Sequence, residues 1–434
     1  MTSPERAVPS IARPVALRER FASMDVLRGF ALLGILVPNI FMFAFPWVSG
    51  ENADAMAEAV LIAAPETYMV NDAANALAID VMGVFFMGKF MFLFATLFGA
   101  GVVLFDRKFH TPDVRVPLSR GAGVWYVRCA WLLAIGLVHA FGLWFGDILV
   151  WYALAGMAAV WWIRRWRPRT LIIFAIVTYL FGTLVWLGMM AIFDQMIQNG
   201  DMPAEQMTGP SPADDIAVYA HGSYLDAVIA RIKTLVPWYF IMPFTFFWQI
   251  TGLMALGIAL ARLGVYTGQR SAKFYATLAL VGIPVGLAIT LGVAHFVEGL
   301  NSPLSGMYWM AVAQLAGAPL ALGYAGLVLL GTRAAVLRPL AAALAAVGRM
   351  ALTNYLLQTV ICTSIFYGHG LGLYGSVQFP LLWFVVGAVW IVNIAFSLLW
   401  LSIFRFGPAE WVWRSLTYRR PQPLLRDLLK TAGA

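Results

Sequence analysis

The side chains of this sequence that could do chemistry lie inside or at the edges of long apolar runs. His139 and Asp147 are eight positions apart, Lys89 lies six residues from the outer end of one run, Arg28 and Asn39 share another, and Arg128, Arg349 and Asn354 sit within others. An imidazole titrates near neutral pH and can accept the proton of an attacking hydroxyl or amine, with a carboxylate such as Asp147 to orient it. An ammonium or amide such as Lys89 or Asn39 can support the oxyanion of a tetrahedral intermediate. Guanidinium groups pair with phosphates. Together these residue types suit acyl transfer from an acyl-coenzyme A, whose phosphates need cations and cannot cross hydrocarbon, and whose pantetheine arm is thin enough to thread a channel.

The spacing adds an axial pattern. Arg28 and Asn39 are eleven residues apart in MDVLRGFALLGILVPNIFMFAFP, and so are Arg128 and His139 in VWYVRCAWLLAIGLVHAFGLWF. Eleven residues are close to three helical turns, so each pair falls on one face of its helix, roughly 16 Å apart along the axis. Simpler roles are open for each residue. His139 suits a hydrogen bond between membrane helices, and Asp25 and Arg28 suit an interfacial i, i+3 ion pair. Lys89 near a helix end can reach out to the membrane surface, and Asp147 after Gly146 suits a helix N-cap.

The elements that must hold these residues are membrane spans. Hydrophobic residues make up 61% of the 434 positions and charged ones 12%, with mean hydropathy +0.79. This is the composition of a polytopic all-α membrane bundle, since a transmembrane helix needs about 20 consecutive apolar residues. About ten such runs fall near 24–46, 83–105, 124–145, 148–163, 170–193, 237–262, 274–297, 308–331, 347–368 and 381–404. The net charge of +8 comes from Arg and Lys in short segments between these runs, which argues for orientation and against a nucleic-acid surface. Segments 47–82 and 194–235 are acidic and fall outside the cytoplasm, the second with room for a short amphipathic helix near 216–235; 1–23 and 405–434 are basic, so both tails are expected to be cytoplasmic. On this topology Arg28, Arg128, Arg349 and Asn354 lie toward the cytoplasm, and Asn39, Lys89, His139 and Asp147 toward the outside. Cys129 and Cys362 lie far apart without metal-ligand spacing, no His pair carries a metal motif, and no metal is expected.

Five ordered blocks, MDVLRGFALLGILVPNI, GKFMFLFATLFGAG, RCAWLLAIGLVHAFGLWFGDILVWYAL, GRMALTNYLLQTVIC and GPAEWVWRSLTY, make the chain resemble the YeiB-like family of bacterial membrane proteins. That family is grouped with the OafA-type O-antigen acetyltransferases and heparan-alpha-glucosaminide N-acetyltransferase. The resemblance implies acetyl-coenzyme A bound from the cytoplasm and transfer to a glycan or similar acceptor across the cytoplasmic membrane. OafA-type enzymes carry an Arg, ten residues and a His on a membrane helix. Here the Arg is Arg28 and the matching position is Asn39, which cannot act as a general base.

The first expectation is therefore a membrane acyltransferase of the bacterial cell membrane. In it Arg28, Arg128, Arg349 and Asn354 bind the donor, His139 is the base, Asp147 orients it, and Lys89 or Asn39 supports the oxyanion. Its partners would be membrane lipid and a glycan or small-molecule acceptor, with the oligomeric state open. A transporter or flippase using the same polar path is the alternative, and a non-catalytic partner of an envelope pathway is a third.

Overall fold

The computed structural model describes residues 22–46, 72–107, 118–203, 211–298, 302 and 304–426. The protein is an all-α bundle. Among the described residues eight helices are long and apolar enough to cross a membrane, and a bent pair makes a ninth; two shorter apolar helices, Leu149–Ile163 and Phe246–Arg262, add to the bundle. The expected total of about ten spans agrees with this. Most of the N-terminal tail and of segment 47–82, with the last residues of the C-terminal tail, lie outside the described residues.

Helix α1 (Ala22–Ala44) is the bundle's axis. Of its most apolar stretch 78% is buried, against 17% for the peripheral helix Tyr224–Phe244. Helices α2 (Asp72–Phe85) and α3 (Lys89–Arg107) follow, separated by a turn over Phe86–Gly88. Next comes α4 (Leu118–Leu137), which runs into a π-helical turn over Val138–Leu143, and α5 (Leu149–Ala155), which loosens into a second π turn over Gly156–Val160. Helix α6 (Pro168–Gln198) starts with proline at its first turn, where a missing N–H costs nothing.

The segment expected as an outer loop, 194–235, contains the end of α6, the short α7 (Pro212–Tyr219) and most of α8 (Tyr224–Ile241). Ser223 starts α8 with a capping box, its hydroxyl accepting the Asp226 N–H while the Asp226 side chain accepts the Ser223 N–H. The run expected at 237–262 is broken at Thr245, because Pro243 ends α8 and a new helix, α9 (Phe246–Arg262), begins at the next turn. Helices α10 (Ala272–Glu298) and α11 (Ser305–Gly331) form an intimate pair.

The run expected at 347–368 is also broken. Helix α12 (Arg338–Arg349) and helix α13 (Ala351–Phe366) meet at Met350 at an angle of 83°. Hydropathy reports how apolar a stretch is and not its direction, so the bend leaves no mark in it. Helix α14 (Phe379–Ile403) and the amphipathic α15 (Pro408–Thr417) complete the chain.

Small residues set the closest crossings, as expected where lipid offers no hydrophobic force to press helices together. Gly29 of α1 and Gly348 of α12 lie backbone to backbone: a Cβ on Gly29 would strike the Leu344 carbonyl, and one on Gly348 the Asp25 carbonyl. Gly99 of α3 and Gly257 of α9 do the same with the Met254 and Thr96 carbonyls. Gly257→Val is expected to force α3 and α9 apart and cost about 1–3 kcal/mol, read as a lower melting temperature of the detergent-purified protein by differential scanning fluorimetry.

Candidate functional site

His139 is carried by the π turn that ends α4. The wider turn is seen in the bond from the Trp144 N–H to the His139 carbonyl, five residues back, at 2.8 Å. Such turns interrupt a regular helix and collect at functional positions. They also leave carbonyls to be satisfied, which inside a bilayer must be done by protein. Arg231 of α8, fully buried, does this: its Nε donates to the Phe141 carbonyl at 3.0 Å and its Nη2 to the Gly142 carbonyl at 2.9 Å. The Tyr224 hydroxyl donates to the same Gly142 carbonyl at 2.8 Å.

The imidazole thus fixed is 1% exposed and engaged at both nitrogens. Its Nδ1 lies 2.8 Å from Asp147 Oδ2 and its Nε2 2.9 Å from the Thr359 hydroxyl. A carboxylate only accepts, so Nδ1 carries the proton and Nε2 presents its lone pair to Thr359. Asp147 acts twice, because its Oδ1 accepts the Val150 N–H at 2.8 Å and caps the first turn of α5. The Tyr355 ring lies 4.8 Å from the imidazole, and Trp144 stands edge-on to it at 6.4 Å. The Trp144 Nε1 is buried and has no hydrogen-bond partner.

Helix α13 carries Thr359 and Tyr355 toward His139, and its other end is the kink. Four exposed amides would open α13 there. Glu410 of α15 takes two of them, Oε1 accepting the N–H of Leu352 at 2.7 Å and of Thr353 at 3.2 Å, while Oε2 accepts the Thr353 hydroxyl at 2.5 Å. Burial pushes the Glu410 carboxyl upward, while these donors pull the other way. Asn354, fully buried, donates to the Val347 carbonyl at 3.2 Å and to Ser397 at 2.8 Å, and one turn on Gln358 donates to Asn393 of α14 at 2.8 Å.

The residues expected to hold a donor gather around this kink. Arg349 is the last residue of α12. Arg128 of α4 lies flat over the Trp413 ring of α15 at 3.6 Å, and the Trp413 indole donates to the Arg128 carbonyl at 2.8 Å. Arg28 pairs with Asp25 at 2.9 Å, at the Gly29–Gly348 crossing that joins α1 to α12. Two residues stand apart. Lys89 is fully buried, but its ammonium donates to the Gly83 carbonyl at 3.0 Å and closes the turn between α2 and α3. Asn39 is half-buried on α1.

Four contributors escaped the sequence: Thr359, Trp144, Arg231 and Glu410. Thr359 had a faint signal in the adjacent polar pair Gln358-Thr359 within an apolar run, and Arg231 lay in a segment whose acidic character pointed to an outer loop.

The family described as "Protein of unknown function (DUF418)" matches residues 260–420, the stretch that holds α10 to α15 with Thr359, Asn354 and Glu410. Over nearly the whole chain the sequence is 32% identical to the uncharacterized protein YxaH of Bacillus subtilis, covering 96% of this chain and 99% of YxaH. It is 33% identical to the uncharacterized protein YeiB of Escherichia coli, covering 94% and 98%. The chain belongs to the YeiB-like, DUF418 family. No solved structure matches it. His139 and Asp147 fall outside the DUF418 match and inside the full-length likeness to YxaH and YeiB, so the site joins two parts of this family's chain.

Outside the spans, Asp215 of α7 is 8% exposed. Burial, with the Asp214 carboxylate, pushes it up to about 7 from the ordinary 3.8. The folded protein then keeps a proton that the unfolded chain has lost, so this group favours folding most below pH about 4, and that contribution is gone once pH passes about 7. Asp215→Asn is expected to melt at a higher temperature than the natural protein at pH 8, with the difference closing toward pH 4 in a fluorimetric pH series.

Proposed function

We propose that this protein is a membrane acyltransferase that moves an acyl group, in the simplest case acetyl, from a cytoplasmic acyl-coenzyme A to a hydroxyl or amine of an acceptor across the bacterial cytoplasmic membrane. The observation that carries this reading is the buried chain Asp147–His139–Thr359, a base held in one tautomer by a carboxylate and bonded through its free nitrogen to a hydroxyl. Few simple packing roles call for both imidazole nitrogens, a capping carboxylate and an arginine-braced π turn in one place.

In this reading Arg28, Arg128 and Arg349 face the donor's phosphates at the cytoplasmic end, with Asn354 between them and the base, and both termini lie on that side. The first turn of α13 is thereby the donor's entry and the π turn is where chemistry occurs. From Ala351 to Thr359 the helix rises about 12 Å, a distance that an extended pantetheine arm covers. His139 accepts the proton of the attacking group, and Asp147 stabilises the imidazolium that results. The Trp144 indole N–H, with no partner at rest, is the donor best available to the developing oxyanion, since Lys89 is committed to Gly83.

A transporter shares one feature with this structure, the span broken by 83° at Met350, as broken helices line many transport sites. Movement of a solute into proteoliposomes without loss of acetyl-coenzyme A would favour it. For the acyltransferase, His139→Gln is expected to lower release of free coenzyme A by 10²-fold or more, measured with a thiol reagent on envelope membranes, at an unchanged melting temperature. Asp147→Asn should lose activity and some stability together, because it also caps α5. Undiminished release in His139→Gln would remove the assignment.

A further inference from the structure

The Thr359 hydroxyl lies where an attacking acceptor would have to be, on the one free lone pair of His139 at 2.9 Å. Threonines in membrane helices ordinarily return their proton to the carbonyl four residues back. Thr178, Thr183, Thr251, Thr290 and Thr363 do so here at 2.8, 3.0, 2.8, 2.8 and 2.9 Å. Thr359 differs: its contact with the Tyr355 carbonyl is stretched to 3.3 Å, and its shorter bond is to the imidazole. Its side chain is turned toward a base that is itself oriented by a carboxylate, the arrangement by which weak hydroxyl nucleophiles are activated. Thr359 is 1% exposed, so water does not compete for the base.

We propose that Thr359 is the first acyl acceptor, a covalent relay between donor and final acceptor; this rests on the acyl-transfer reading above. In the first half-reaction Thr359 Oγ1 attacks the thioester carbonyl carbon of acyl-coenzyme A and its proton passes to His139 Nε2. The tetrahedral oxyanion meets the free Trp144 N–H, the C–S bond breaks, and the departing thiolate takes the proton back from the imidazolium. Coenzyme A leaves as the free thiol and Thr359 carries the acyl group as an ester. In the second half-reaction the acceptor hydroxyl or amine gives its proton to Nε2 and attacks that ester. The C–Oγ1 bond then breaks and Thr359 recovers its proton. No oxidant or further reactant is needed. The relay lets a charged donor of large size stay at the kink end of α13 while only the acyl group proceeds to the π turn.

A relay of this kind exchanges label between acetyl-coenzyme A and free coenzyme A with no acceptor present, whereas direct transfer in a ternary complex does not. The test uses the full chain purified into nanodiscs, with acetyl-coenzyme A and radiolabelled coenzyme A as probes. It reads exchange, binding of acetyl-coenzyme A by calorimetry, and acetylation of the peptide spanning 351–366 by mass spectrometry. The expected result is exchange with one acetyl group on Thr359 in the natural protein, retained within about tenfold in Thr359→Ser and lost at least 100-fold in Thr359→Val and His139→Gln, with binding unchanged in all. Binding without exchange in the natural protein, or exchange that survives Thr359→Val, overturns the relay and leaves the acyltransferase standing. Absence of acetyl-coenzyme A binding in the natural protein overturns the acyltransferase reading and the relay with it.

Discussion

A carbonyl or amide inside a bilayer has no water to bond, so wherever a membrane helix departs from regularity another part of the protein must supply the missing partner. This constraint organises the structure. Helices can run unassisted through their α-helical lengths, but the π turn after α4 and the kink before α13 each free backbone groups. At the first, Arg231 and Tyr224 donate to the carbonyls of Phe141 and Gly142. At the second, Glu410 receives the Leu352 and Thr353 amides that open α13, and the Thr353 hydroxyl in turn receives the Ala409 amide of α15. The two breaks are stabilised by side chains of opposite charge, each matched to the end of the helix it meets, cation to carbonyls and anion to amides.

The consequence for the site is that neither end of the polar path is left to its own helix. His139 points where α8 holds its turn, and Thr359 comes to meet it because α13 begins where α15 caps it. A helix that ran on unbroken through 347–368 would carry Thr359 along a different line. The chain Asp147–His139–Thr359 therefore depends on two cross-braces, neither of which touches the imidazole.

Much of this was readable from sequence and part was not, for reasons that differ by residue. The apolar runs, the buried course of α1 and the Asp25–Arg28 pair follow from length, hydropathy and i, i+3 spacing, all of which are local. Asp147 was open between capping a helix and orienting His139, and it does both, one oxygen each, which spacing alone has no means to express. Both missed breaks are directional: a hydropathy run through Met350 or Thr245 stays apolar whether the backbone goes on or turns. Arg231 was concealed by Asp214, Asp215 and Asp226, whose charge suggested an outer segment with at most a short amphipathic helix near 216–235, and not a helix that packs its arginine against the π turn. Thr359 is chemically indistinct from the chain's other threonines, and only its partner in space, 220 residues away in sequence, sets it apart.

The cap on α13 also bears on how the protein is made. Glu410 lies 58 residues downstream of Leu352, the amide it receives. During synthesis α13 enters the membrane before α14 and α15 have left the ribosome, so its leading amides must wait, bonded to water or to the insertion machinery, until the end of the chain arrives. Helix α13 is thus among the last parts of the nascent protein to reach its final form, and a polypeptide released before α15 would hold the spans yet lack a settled Thr359.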